Sequence, residues 1–209
     1  MIRLISLFLI LINTSYFSQD FEGFISYKIS HKNIDTTIKQ LSSMPTKLDF
    51  YISGELSRID QFTKIGTQTT IIDTLLKRNI LLIKLLDKKF GIILSQKDTN
   101  DLESIVYTKE KDTFLGLECK KAIINSIHKT TNRTTTSTIY YTNKIDNSYN
   151  VNFKQLNGFP IYYEIISDNI ISTYQAVEMT YENIDPKLFE IDNNTSVYKM
   201  EEFKALMSQ

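Results

Sequence analysis

Beyond residue 20 the chain alternates apolar with polar positions over most of its length. Phe21, Gly23, Ile25, Tyr27 and Ile29 share one side of a period of two, in a stretch rich in aromatic and β-branched residues, which predicts a first strand over 21–30. Lys47–Ser53 and Leu56–Thr63 flank Gly54-Glu55 and predict a hairpin, with a third strand of the same meander over 67–73. The run ILLIKLL at 80–86 and the segment 90–95 are separated by Asp87-Lys88-Lys89 and predict a strand pair. A long strand is expected from Thr113 to Ile127, a polar tip from His128 to Arg133 and a Thr-rich return over 134–142. Pro160 opens a further strand, since it fixes φ and donates no hydrogen bond; residues 161–166 then pair with 170–181 across Ser167-Asp168-Asn169.

Helical spacing is confined to short stretches. Ile34, Ile38 and Leu41 follow Asn33 at i, i+4 and i+7, and Pro45 stops any continuation. A helical turn is expected over 98–104. Asp185-Pro186 reads as a cap with proline at the first helical position, and Val197, Met200, Phe203 and Leu206 recur every three residues into a terminal helix. The sum is about nine or ten antiparallel strands with short helices inserted early and appended late, an α+β meander and not a βαβ array.

The first residues follow another rule. Arg3 precedes an apolar run over 4–12 that only Ser6 interrupts, and polar or small residues follow to Gln19. This is the layout of a signal peptide over 1–19 with cleavage near Ser18 or Gln19, leaving 20–209 as a single domain. The run is far shorter than the roughly 20 residues that span a bilayer, so the chain is expected to be exported and not membrane-spanning. The only cysteine, Cys119, is too far downstream to carry a lipid anchor and reads as a small core residue.

Composition narrows the chemistry. Twenty-four basic residues balance 24 acidic ones, so nothing favours a nucleic-acid backbone as partner. One cysteine and two histidines are thin material for a disulfide framework, a zinc site or a His-based catalytic pair, and no cofactor is implied. The nucleophile elbow, Walker loop, GxGxxG and HExxH patterns are absent. Asp98-Thr99-Asn100-Asp101 starts like a calcium loop but lacks glycine at the sixth position and has Lys109 at the twelfth. His31 and His128 have no nucleophile or orienting acid at motif spacing and fall in expected polar turns. What stands out is 12 Phe and 12 Tyr without catalytic polar groups; such rings fill a core or line a cavity, and each methylene buried against them is worth about 0.8 kcal/mol.

Three short stretches share a further property. Phe21-Glu22-Gly23-Phe24-Ile25-Ser26-Tyr27, Gly116-Leu117-Glu118-Cys119-Lys120-Lys121-Ala122 and Gly158-Phe159-Pro160-Ile161 resemble, in order and spacing, exported bacterial proteins related to the GLPGLI family and to the periplasmic lipoprotein-carrier half-barrels. Phe50-Tyr51-Ile52 with Gly54 and Arg58, and Ile71-Ile72-Asp73, are similar to that group's second and third strands. The GLPGLI hexapeptide itself is replaced by Asn157-Gly158-Phe159-Pro160-Ile161-Tyr162, which points to a sister family. The resemblance implies a strongly curved, open half-barrel with short helices over its concave face, a shape that holds lipid in the carriers.

From this follows a first expectation: a non-enzymatic exported envelope protein, periplasmic, outer-membrane-associated or secreted, that binds a lipid or lipoprotein acyl chain in the concavity. The candidate contact residues are Phe50, Ile52, Arg58, Ile72, Tyr140, Phe159, Tyr163 and Tyr174, with Arg58 at the rim. The alternative is a structural or assembly protein that binds another envelope protein through its sheet. A hydrolase would need His31 or His128 in a cleft beside a carboxylate and a hydroxyl. A hollow or a ring-filled interior separates the first two.

Overall fold

A computed structural model describes residues 21–34, 43–64, 66–85, 88–94, 102–128, 132–150 and 152–208. The expected signal peptide, most of the expected helix over 34–41, and residues 98–101 lie outside these. The first six strands are β1 (Gly23–Asn33), β2 (Lys47–Ser53), β3 (Leu56–Thr63), β4 (Gly66–Asp73), β5 (Arg78–Leu85) and β6 (Lys88–Leu94). The next are β7 (Leu102–Phe114), β8 (Leu117–His128), β9 (Arg133–Thr142), β10 (Phe159–Ser167), β11 (Ile170–Tyr181) and β12 (Thr195–Lys199). One helix, α1 (Met200–Met207), ends the described chain.

All twelve strands form one sheet in the order β12-β6-β5-β4-β3-β2-β1-β11-β10-β9-β8-β7, with β12 and β7 at its two unjoined edges. Every pairing is antiparallel except that of β12 with β6. The architecture is therefore mostly β, which corrects the α+β expectation. Among the described residues the only α-helix is the eight-residue α1, and the loop that covers the packed face carries just a 3-10 turn at Asn147–Tyr149.

Three strand assignments differ from the sequence expectation. The strand expected to run unbroken from Thr113 to Ile127 is two strands, because Leu115 and Gly116 adopt φ of 50° and 75°. Positive φ at both central residues makes the tight turn whose twist suits a hairpin, and glycine enters that region without a Cβ penalty. Leu102–Ser104, expected in a helical turn, begins β7. Val197, expected in the terminal helix, lies in β12 opposite Gly91; a Cβ at position 91 would stand 3.0 Å from a Val197 methyl, so glycine permits the close approach. The Gly54-Glu55 hairpin and the β10–β11 hairpin form as the pattern predicts.

The sheet's two faces are covered differently. On one, Ile25 lies opposite Phe50, Phe50 opposite Ile59, and Tyr163 opposite Ile139, which in turn faces Ala122. The covering loop, described over 143–150 and 152–158, lies over this face and buries Ile145, Tyr149, Phe153 and Leu156 in the main core. On the other face, the connection from β11 to β12 runs as a strap across β3. It starts a 3-10 turn at Pro186–Phe189, where the Asp185 carboxylate accepts from the Lys187 N–H. It buries Ile184 and Phe189 and closes with an ion pair between Asp192 and Lys89.

Candidate functional site

The expected ligand-contacting residues divide between the two faces. Phe50, Ile52, Ile72, Phe159 and Tyr163 are all buried on or against the loop-covered side, with Tyr174 partly buried beside them. Phe159 meets Phe50 edge-on at 5.4 Å. Tyr163 stacks on Tyr174 at 4.4 Å and 11°, and takes the edge of Phe153 from the covering loop at 5.2 Å. Tyr27 stands behind, 6.2 Å from Tyr163, and donates its O–H to the Pro160 carbonyl at 2.7 Å. Burial pushes the phenols of Tyr27 and Tyr163 well above their ordinary range.

These rings pack against one another. The cavity left between Tyr27, Leu48, Phe50, Ile59, Phe159 and Tyr163 is about 30 Å³, the space of a single water molecule. Residues 143–158 explain the filling, and their signal was present in the sequence: Tyr149, Phe153 and Leu156 recur at i, i+4 and i+7 in a stretch otherwise rich in Asn and Lys. The loop holds itself in shape through Asn147, whose amide donates to the carbonyls of Phe153 and Lys154, and Asn150, whose side-chain oxygen accepts from the Asn152 N–H.

Arg58 projects from the opposite face, since its cross-strand neighbours are Tyr51 and Ile71 and not Phe50 or Ile72. Its guanidinium donates twice to Asp60 at 3.0 Å and once to the Leu188 carbonyl at 2.8 Å. Asp60 also accepts from Thr69 at 2.6 Å and lies directly across from Asp49, itself buried and bonded to Ser26 and Lys47. Two neighbouring buried carboxylates thus each have their own cation. This network, of which only Arg58 is among the expected residues, ties the strap to β3.

Tyr140 is also on that opposite face, away from Tyr163. It packs 5.3 Å from Phe114 and 5.9 Å from Tyr162, whose ring is stacked on Phe114 at 5.2 Å. Tyr162 donates to Glu164 at 2.9 Å, and burial together with that carboxylate pushes its phenol up to about 12.

His31 and Cys119 are already engaged. His31 lies within β1 and not in a turn; Nε2 meets the Pro45 carbonyl at 2.7 Å, so that nitrogen carries the proton, and Nδ1 meets the Ser172 hydroxyl at 2.9 Å. A histidine and a hydroxyl therefore meet, with a backbone carbonyl in the place where an orienting acid would stand. His128 ends β8 opposite Arg133. Cys119 is fully buried, and burial pushes its thiol up to about 11, away from the thiolate form that reacts. Among the described residues no group of three or more His, Cys, Asp or Glu side chains is placed to hold a metal ion, and no helix is long and apolar enough to cross a membrane.

Larger spaces lie away from this ring cluster. One of about 440 Å³ opens between the β4–β5 turn and the covering loop, lined by Lys77, Asn79 and Asn147 and also by Leu156 and the expected contact residue Ile72. A second of about 250 Å³ lies under the strap beside Arg58 and Thr69. A third, of about 660 Å³, lies where β6, β12 and α1 meet. No protein-family model matches the chain, and no curated protein matches it.

Proposed function

We propose that the protein is an exported, non-enzymatic module of half-barrel type that engages another envelope protein by strand addition at the free edge of β7. The observation that carries this reading is the contrast between the ring-filled centre of the packed face and an open edge. An acyl chain needs a pocket of roughly 300 Å³ or more, whereas about 30 Å³ remains between the rings of the packed face. The strength of the sheet as a binding surface lies in its outermost strand.

Among the described residues β7 pairs with β8 alone, and no other described strand covers its outer row of N–H and C=O groups. The two halves of this strand differ. Lys109, Glu110, Lys111 and Asp112 are exposed beside an irregularity in the pairing between Tyr107 and Lys111, the devices that discourage indiscriminate edge-to-edge association. Residues 104–107 carry no charge and expose Val106 by 54% and Tyr107 by 42%, the Tyr107 hydroxyl being bonded to the covering loop at Gln155 and Asn157. An extended segment of a partner laid along 103–107 gains main-chain hydrogen bonds for affinity and side-chain contacts with Val106 and Tyr107 for selection.

The test places a photoreactive residue at Val106 and a second, as control, at exposed Glu201 on α1. In intact envelopes the Val106 probe is expected to capture one protein of defined mass through an extended segment, and Val106→Lys to abolish co-purification of that protein. Equal capture from both positions, or capture unaffected by Val106→Lys combined with Tyr107→Lys, rules the edge out.

A further inference from the structure

The cleft of about 660 Å³ at the far edge of the sheet has walls of a particular kind. Phe90, Tyr198, Leu206 and Met207 supply the apolar half of its lining, and Asn194, Ser196, Lys88 and Lys89 the polar half. Its volume lies inside the range of pockets that take small organic ligands. The walls come from three elements. Phe90 belongs to β6, Tyr198 to β12, and Leu206 with Met207 to the last turn of α1.

These elements meet through rings. Phe203 packs edge-on against Phe90 at 5.6 Å, and Tyr198 lies 6.3 Å from the same ring. Docking through Phe203 aims the last turn of α1 over β6, yet no residue of the helix is buried. Leu206 is left 40% exposed and Met207 56% exposed on the rim. An eight-residue helix is too short to be stable alone, so apolar contact along this rim acts directly on its stability. Met207, unbranched and polarizable, can follow the shape of a flexible occupant.

The charge on the polar half is equally specific. Lys89 is held by Asp192 at 2.5 Å, while Lys88 has no ion-pair partner among the described residues. The acidic residues of α1 sit at its other end, and Glu202 is committed to the Lys199 N–H. A trough apolar along one side and polar along the other, with an ammonium that has no ion-pair partner among the described residues, complements one chemical class: a single flexible hydrocarbon chain that ends in an anion.

We infer that this cleft binds a single-chain anionic amphiphile of the fatty-acid type, its chain along Phe90, Tyr198 and Met207 and its carboxylate beside Lys88. This site is independent of the β7 edge, which lies at the opposite end of the sheet, and the two readings fail separately because Val106→Lys leaves the cleft untouched.

The probe is a dansyl-labelled fatty acid, followed by fluorescence on the full chain, with unlabelled acids as competitors. Saturable binding is expected. Competition should strengthen with each added methylene, by up to about fourfold if the methylene were fully covered and about twofold in a half-open trough. The methyl ester of the same acid should compete about fivefold more weakly, and Lys88→Glu should weaken the acid by a similar factor. Met207→Glu, at an exposed position that does not endanger folding, should weaken binding about tenfold with an unchanged circular dichroism spectrum. Binding that survives both Met207→Glu and Lys88→Glu, or equal competition by acid and ester, overturns the inference. So does co-sedimentation with phosphatidylglycerol vesicles in the absence of saturable binding of the free acid, since that result assigns the patch to a membrane surface.

Discussion

The phenol of Tyr149 donates to the carbonyl of Gly54 across 2.8 Å, joining the loop over the packed face to the β2–β3 turn at a sequence distance of 95 residues. This bond closes one end of the interior, and Phe153 against Tyr163 closes the middle. Tyr149→Phe removes one hydrogen bond and keeps the ring, which should cost about 1 kcal/mol. Phe153→Ala opens a cavity among rings that cannot all collapse and should cost about 3 to 5 kcal/mol. Urea denaturation measures both; a Phe153→Ala loss below about 1 kcal/mol would mean that the loop does not seal this face.

Ser57 makes the opposite kind of prediction. Its residue is fully buried between Ile52 and Ile72, and its Oγ has no hydrogen-bond partner. A hydroxyl desolvated without compensation is a standing cost, so Ser57→Ala should leave stability unchanged or raise it by up to about 1 kcal/mol. A loss larger than about 1 kcal/mol would show that the hydroxyl has a partner, such as a trapped water, in solution.

Arg58 shows how much of the site was legible before the structure. The turn Gly54-Glu55 pairs Ser53 with Leu56, and that register alone sets Phe50 opposite Ile59 and Tyr51 opposite Arg58. Grouping Arg58 with Phe50 and Ile52 as one lining ignored a parity that the hairpin already contained. The apolar strands were readable because alternation reports burial of one face. Strand β7 was not, since TKEKDT over 108–113 carries no such alternation and owes its strand form to pairing with β8. β12 was missed for a related reason: Val197, Met200 and Phe203 keep a three-residue spacing across a strand–helix junction, and spacing alone does not mark where the backbone changes.

The same residue should control the strap. Arg58→Leu leaves the buried Asp60 carboxylate with only Thr69 and frees the Leu188 carbonyl, which should cost about 3 kcal/mol. Adding Asp60→Asn removes the orphaned charge and should recover part of that loss. Hydrogen exchange locates the effect: protection in β12 should fall before protection in β2 or β8 does. Uniform loss of protection across the sheet would mean that the network supports the sheet itself and not the strap.

Alkaline pH tests the phenol cluster on the strap's face. An unfolded tyrosine ionises near its ordinary value of 10.0, whereas Tyr162 keeps its proton up to about 12, held first by burial and then by Glu164. A raised folded value contributes stability that is complete below pH 10 and declines as the pH climbs from 10 toward 12, because over that window only the unfolded chain releases the proton. Tyr27 and Tyr163, raised by burial, act in the same direction. The expected result is stability that begins to fall above pH 10, with phenolate absorbance appearing together with unfolding instead of ahead of it. Tyr162→Phe should flatten that fall, and Glu164→Gln should let Tyr162 ionise earlier, since the carboxylate that repels the phenolate is gone. If Glu164→Gln leaves the titration of Tyr162 in place, burial against Phe114 and Tyr140 accounts for the shift without help from the carboxylate.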